Sequence, residues 1–400
     1  MVNQLPQGWK EEELGKLVDI FDNLRKPVSS TERLARIKNK DKSELYPYYG
    51  ATGLVDYIDG YIFDGEYLLL GEDGCPFLDS LKDKAYIISG KTWVNNHAHV
   101  LRAKESKTSN KFLLYYLNKF DYNGIVSGAT RLKLNQNSMK KIPVYYPTDK
   151  NEQDYIVKTL DAVAEIIRLH KETIQLTKDL IPAIFHEMFG DPITNPKGWE
   201  ITTLGNPDVC TLQYGYTATA QDSGNTRYIR ITDIGKDGYI DNGNKAWLNY
   251  DDKMGDYKLY PKDILVARTG ASYGKTLLYN NDSDAIFASF LIRIIFNKKK
   301  IIPEFYWAYS LTDSYWQQAN RLVSGVAQPQ FNGSALKQIL LMLPPWSLQE
   351  EFAKKVEQIN KYIVAQQEEL EHFETLFQSL LQEAFTGVLT WKYPRKESND

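Results

Sequence analysis

Cysteine is nearly missing from this sequence of 400 residues: Cys75 and Cys210 stand alone. That excludes a disulfide scaffold and a cysteine-based zinc site, and it suits a reducing compartment. Long apolar stretches are lacking as well. The longest mostly apolar run, residues 286–296, is too short to span a bilayer and contains Arg293. The opening MVNQLPQGWKEEE has no apolar core of a secretory signal. The expectation is a cytoplasmic chain without membrane contact. A large charge of one sign is absent too, the net being −3, which at first sight argues against a polyanionic partner.

Catalytic patterns are lacking along the whole length. Asn206-Pro207-Asp208-Val209 and Leu343-Pro344-Pro345-Trp346 only brush against the Asn/Asp-Pro-Pro-aromatic motif of amino-methyltransferases. No glycine-rich cofactor loop follows a first strand, and no nuclease Pro-Asp…Asp/Glu-x-Lys pattern or Ser-His-Asp spacing stands out. Around Arg268-Thr269-Gly270-Ala271-Ser272-Tyr273-Gly274-Lys275-Thr276, Gly270 is one residue too close to Gly-Lys-Thr for a phosphate loop. A glycine-rich basic loop after a strand remains, suited to close approach to DNA or to a tight solvated turn. His97 and His99 flank Ala98 on a probable strand and face one side. Two histidines without a third ligand read as a polar contact or surface pair, so no metal and no resident cofactor are expected.

What the sequence does have is a helical seam that occurs twice. In alternating steps of four and three, apolar residues run from Ile156 to Met188, broken by His170 and Thr177. The same steps run from Phe352 to Ala384, 196 residues later, broken by Gln366 at the place of His170. This is the a/d pattern of a coiled-coil seam. Two matching seams, each about 50 Å long, are expected to pack on each other. Pro182 falls inside the first, where a kink is expected.

The repeat extends beyond the seams. Pro6-Gln7-Gly8-Trp9 with Leu14-Gly15 returns as Pro196-Lys197-Gly198-Trp199 with Leu204-Gly205. Ser127-Gly128-Ala129-Thr130-Arg131-Leu132-Lys133-Leu134-Asn135 returns as Ser324-Gly325-Val326-Ala327-Gln328-Pro329-Gln330-Phe331-Asn332. Each is followed by a short apolar strand, a proline and a helix start, with Glu152-Gln153 in one copy and Gln349-Glu350 in the other. Strands are expected over 46–70, 93–102, 227–234, 263–268 and 287–296, and helices over 111–117 and 303–322. The fold class is therefore α+β: two mixed domains joined by two long helices in an antiparallel coiled coil, an internal duplication with pseudo-two-fold symmetry. The expected boundaries are 1–150 for the first domain, 151–190 for its helix, 191–345 for the second domain, 346–388 for its helix and 389–400 for a tail. The helices carry the negative charge, summing to −8, and leave 1–150 at +3 and 191–345 at +1. The electrostatic signal for DNA is thus local.

These stretches resemble the specificity (S) subunit of a type I restriction–modification enzyme, over essentially the whole chain. The resemblance is carried by the repeated domain starts, Tyr48-Tyr49-Gly50-Ala51-Thr52-Gly53, Asp64-Gly65-Glu66-Tyr67, Asp263-Ile264-Leu265-Val266-Ala267-Arg268-Thr269-Gly270 and Leu380-Leu381-Gln382-Glu383-Ala384-Phe385-Thr386-Gly387. One departure is Gln349-Glu350, where the family has Glu-Gln. The resemblance implies a non-catalytic subunit with two target-recognition domains, each binding one half of a bipartite double-stranded DNA site, and helices that set the gap. It also implies docking of two methyltransferase (M) subunits, which carry S-adenosylmethionine, and of restriction (R) subunits. Competing readings are a self-contained DNA methyltransferase or nuclease and a coiled-coil adaptor between proteins.

Arginine and lysine read guanine, while asparagine and glutamine read adenine. On that basis the candidate DNA contacts of the first domain are Tyr49, Thr52, Asn95, Asn96, His97, Thr130, Arg131 and Lys133. Those of the second are Arg268, Ser272, Tyr273, Lys275, Gln328 and Gln330.

Overall fold

The computed structural model describes residues 5–241, 243–281, 284–297, 299–325 and 328–391. The chain divides into two compact units: Met1–Leu169 with Leu370–Asp400, and His170–Glu369. Both division points fall inside long helices.

In the first unit the strands are β1 (Trp9–Glu13), β2 (Val18–Ile20), β3 (Tyr46–Gly50), β4 (Gly53–Ile58), β5 (Phe63–Asp64), β6 (Tyr67–Gly71), β7 (Ala85–Ile88), β8 (Lys91–Val94), β9 (Ala98–Ala103) and β10 (Pro143–Pro147). Sheet order is β2-β9-β6-β7 in one sheet and β4-β3-β8-β5 in another, with β1 paired to β10. Strand β6, YLLLG, is buried at every position. Its alternation explains why: Leu68 and Leu70 enter one apolar cluster, and Tyr67 and Leu69 enter a second on the opposite face. Val94 and Phe63 of the other sheet share that second cluster. The first cluster is closed by helix α3 and the long helices. Helices of this unit are α1 (Leu14–Leu17), α2 (Ser30–Ile37), α3 (Asn110–Lys119) and α4 (Gln136–Lys140), ahead of the 40-residue α5 (Lys150–Phe189).

The second unit repeats the plan. Its strands are β11 (Glu200–Thr203), β12 (Cys210–Tyr214), β13 (Thr226–Ile229), β14 (Trp247–Leu248), β15 (Asp263–Ala267), β16 (Thr276–Tyr279), β17 (Ala285–Phe287), β18 (Leu291–Phe296) and β19 (Leu340–Leu343). They order as β12-β18-β15-β16, β14-β13-β17 and β11-β19. Helices α6 (Pro303–Ser310), α7 (Asp313–Leu322) and α8 (Gly333–Leu336) precede the 41-residue α9 (Trp346–Thr386), and α10 (Val388–Trp391) follows it.

Every one of the twenty seam positions is buried or half-buried, and none is exposed. In the first unit Ile156 and Leu160 of α5 share a core with Leu381 and Ala384 of α9. In the second, Phe185 and Phe189 of α5 meet Phe352 of α9 at centroid distances of 5.8 and 5.3 Å. Opposite ends of the helices pair in each unit, so they pack antiparallel. Pro182 is carried inside α5, where it is exposed.

Several expectations change in detail. The strand expected over 93–102 is two strands with a turn at 95–97, and the one expected over 287–296 breaks at Ala288. The helix expected over 303–322 is two, because Thr312 caps α7 by accepting a hydrogen bond from the Tyr315 amide. His97 and His99 do not share a side: His97 lies in the turn, while His99 is fully buried. The apparent departure at Gln349-Glu350 also resolves. Gln153 Nε2 donates to the carbonyls of Lys107 and Pro147, both at 2.8 Å. Gln349 Nε2 donates likewise to Lys300 and Pro344, at 3.1 and 2.9 Å. Gln349 is thus the counterpart of Gln153, and Leu348 stands where Glu152 does. Of the expected tail, Leu389 is buried in the first unit's core, and residues 392–400 lie outside the described residues.

Candidate nucleic-acid interface

In the first unit a cleft of about 1190 Å³ opens between the end of β3, the β8–β9 turn and a hairpin ahead of α4. Its lining includes Asn95, Asn96, His97, Thr130 and Arg131, together with Asp73. The hairpin closes through two backbone bonds, Ser127 N–H to Lys133 O at 2.9 Å and Lys133 N–H to Ser127 O at 2.8 Å. Gly128 makes the turn possible: its φ is 99°, and a Cβ there would stand 2.4 Å from the Arg131 carbonyl oxygen. A short segment after β6 locks the hairpin in place. Gly74 donates its N–H to Leu132 O at 3.1 Å, and Leu134 donates to Glu72 O at 2.8 Å.

Charge in this cleft is balanced side chain by side chain. Arg131 Nε lies 2.7 Å from Asp73 Oδ1, His97 Nδ1 lies 3.4 Å from Asp73 Oδ2, and Lys133 Nζ lies 3.7 Å from Glu72 Oε1. Beneath them is a buried cluster. Arg25 donates to Glu72 at 2.6 Å and to the Ala98 carbonyl at 2.7 Å. His99 bonds Asp22 Oδ2 at 2.7 Å and the Leu134 carbonyl at 2.8 Å. Burial alone would raise the Asp22 carboxyl; hydrogen bonds from His99, Gln136 and the Val100 amide outweigh it and hold the carboxyl below the usual aspartate range. Asp22, Glu72 and His99 have the makings of a ligand set, and here Arg25 supplies the counter-charge. The Cys75 thiol at the cleft wall is pushed up to about 12 by burial.

The second unit builds the same device from different side chains. Ser324 N–H donates to Gln330 O at 3.1 Å, and Gln330 N–H to Ser324 O at 2.7 Å. Gly325 has φ 87°, and a Cβ on it would meet the Gln328 carbonyl oxygen at 2.7 Å. Gly270 donates to Pro329 O at 3.0 Å, and Phe331 donates to Arg268 O at 2.7 Å. Bond for bond, Arg268-Thr269-Gly270 therefore occupies the place of Glu72-Asp73-Gly74. Gln328 and Gln330 occupy the places of Arg131 and Lys133. Residues 326 and 327 of this hairpin lie outside the described residues.

A profile for the type I restriction modification DNA specificity domain matches residues 6–178 and again residues 196–374. The chain belongs to this family. As a specificity chain it is a DNA sequence-recognition subunit, duplicated within one polypeptide. It is 29% identical over 349 residues to a protein of Haemophilus influenzae named as a type I restriction enzyme specificity subunit, covering 84% of this chain and 83% of that one. The EcoDI specificity subunit of Escherichia coli is 23% identical, over 99% of this chain and 92% of its own. A crystal structure of the S subunit of a type I restriction-modification system from M. genitalium shares the fold. Its TM-score is 0.55 at 15% identity, over 96% of this chain and 98% of that chain.

The specificity chain brings some of the expected residues together and scatters others. Asn95, Asn96, His97, Thr130 and Arg131 share the cleft, with Lys133 at the base of its hairpin. Thr52 is exposed in the β3–β4 turn, whereas Tyr49 turns inward onto Tyr86, with centroids 5.9 Å apart. In the second unit Arg268 is half-buried, its Nε donating to Ser289 O at 2.9 Å and its guanidinium lying over Tyr214 and Phe290. Tyr273 donates its hydroxyl to Asn320 at 2.8 Å, and Lys275 reaches the Ile234 carbonyl at 3.2 Å. Ser272 ends the tight turn after Thr269. Gln330 Nε2 donates to Thr269 Oγ1 at 2.9 Å, and Gln328 is exposed.

Sequence reasoning missed Glu72 and Asp73 in the first unit, and Ser289 and Phe290, which hold Arg268, in the second. A signal existed: Gly74 and Gly270 are separated by 196 residues, the same offset as the helical seams. No helix among the described residues is long and apolar enough to cross a membrane.

Proposed function

We propose that each unit of this chain engages one half of a bipartite DNA target, that the long helices fix the gap between the halves, and that the chain contributes recognition and leaves the chemistry to partners. The single observation behind this reading is the hairpin and its locking segment, built twice with the same backbone bonds and with different side chains. A duplicated reader with unlike side chains suits two unlike half-sites. At 1.5 Å per residue a 40-residue helix such as α5 extends about 60 Å, ample for a spacer between half-sites. The domains proposed for the two half-sites are 1–150 and 191–345.

The partners fitting this role are two methyltransferase subunits docked on the helices, carrying S-adenosylmethionine and methylating adenine, and restriction subunits joining through them. A chain that repeats itself offers two equivalent docking places for one kind of partner. The compartment fitting that assembly is the cytoplasm. Within the units, the proposed DNA contacts are the residues named from the sequence.

The deciding experiment is modified-base sequencing of DNA from cells expressing this chain with a methyltransferase partner, with and without the gene. Methylated adenine at a split motif that disappears with the gene is expected. The same methylation without the gene would place specificity elsewhere. In the same assay Arg268→Ala is expected to relax only the half read by the second unit; an unchanged motif removes Arg268 from the contacts.

A further inference from the structure

We infer that the hairpin of residues 127–133 is the base-reading element of the first unit, with Arg131, braced by Asp73, reading a guanine. This rests on the proposed function and extends it, because it assigns a base to one position of the half-site read by the first unit and gives Asp73 a positioning role.

The geometry carries the assignment. The ion pair to Asp73 is made at Arg131 Nε, 2.7 Å away, with the arginine side chain 61% exposed and the carboxylate 23%. Asp73 therefore sits deeper and the guanidinium projects outward. A guanidinium held at Nε keeps its two terminal nitrogens, the pair that spans O6 and N7 of guanine. Bracing also lowers the ordering cost that a long side chain meets on binding. His97 approaches the second carboxylate oxygen. Gly74, at φ 75°, brings its backbone beneath the guanidinium, since a Cβ there would stand 3.2 Å from Arg131 Nε.

At the same backbone positions the second unit carries Thr269 for Asp73 and Gln328 for Arg131. Gln330 is braced there, its Nε2 donating to Thr269 Oγ1 at 2.9 Å. A carboxamide presents one donor and one acceptor side by side, the complement of adenine N6 and N7. The acidic brace is thus replaced by a threonine that holds Gln330, the counterpart of Lys133, while Gln328, at the place of Arg131, is exposed.

The test replaces the arginine and its acidic brace together. The full chain carrying Asp73→Thr with Arg131→Gln is expressed with its methyltransferase partners, and the methylated motif is read by modified-base sequencing. The wild-type motif is expected to contain a G·C pair in the half read by the first unit. In the double variant preference for that guanine falls about tenfold or more in favour of adenine, with the other half unchanged. Asp73→Asn keeps an acceptor for Arg131 Nε and retains the guanine, whereas Asp73→Ala loosens it while the other half-site stays intact. A purely structural role for Asp73 would not move base choice at one position. An unchanged motif in the double variant, or no guanine in the wild-type half-site, overturns the inference. If the double variant methylates nothing, Arg131→Gln alone decides, since it alters an exposed side chain; retained guanine preference then overturns the inference. Absence of any split motif with the wild-type chain would instead sink the proposed function.

Discussion

Single side chains tie the reading surface to the body of each unit. Asp22 is the clearest case in the first, accepting from His99, Gln136 and the Val100 amide at 2.7, 2.8 and 2.9 Å. Because its folded carboxyl lies below the usual aspartate range, the unfolded chain binds the proton more readily. The stability it contributes is present above about pH 4 and is lost as pH falls through the folded value. Asp22→Ala is expected to cost about 3 kcal/mol at neutral pH and to flatten the acid limb of the stability curve, checked by chemical denaturation between pH 3 and 7. In the second unit Gln349 spans from α9 to two loop carbonyls with one amide. Gln349→Ala leaves both carbonyls without that donor and should cost about 2 kcal/mol, read as a shift in urea midpoint at constant slope.

At the scale of elements, the long helices belong to the units as much as to each other. Phe352 on α9 is fully buried among Phe185, Phe189 and, through them, Phe305 of α6. Removing its ring opens a cavity at the junction of three helices, so Phe352→Ala is expected to destabilise the second unit by about 4 kcal/mol, measured by denaturant unfolding. The reading hairpin has a different weak point. Gly128→Ala would set a methyl group against the Arg131 carbonyl in a left-handed conformation, a strain of about 2 kcal/mol. Hydrogen exchange at the Ser127 and Lys133 amides should rise sharply, while the amides of β6 stay protected.

For the whole molecule, duplication is the governing fact. The two halves share the order of one four-stranded sheet, the hairpin bonds and the buried glutamine at the start of each long helix, yet they differ in the side chains their hairpins present. Replacing residues 191–345 by the corresponding domain of a related specificity subunit should therefore change one half of the methylated motif and leave the other half and the spacer as they were. Sequencing of methylated DNA checks this directly; a change in both halves would mean that the units do not read independently.

The sequence by itself determined the duplication, the two helical seams, the mixed α+β class and the family. Each of these rests on periodicity or on phrases repeated at a near-constant offset, signals that survive in one dimension. It also placed Gly128 and Gly325 at corresponding points of a repeated phrase, and the structure shows why, since both take a positive φ in the hairpin turn. Only the tertiary structure decided which polar side chains face the cleft. Tyr49 and Thr52 are three residues apart in sequence, and one turns inward while the other stands in a turn. Asp73 and Arg131 are far apart in sequence, and the strand pairing of β6 with β9 and the locking of the hairpin bring them to 2.7 Å. The pairing of Gln349 with Gln153 already follows from the 196-residue offset of the seams; the structure adds the carbonyls that each amide reaches. Local pattern specifies elements, whereas contacts across the chain depend on how those elements close on one another.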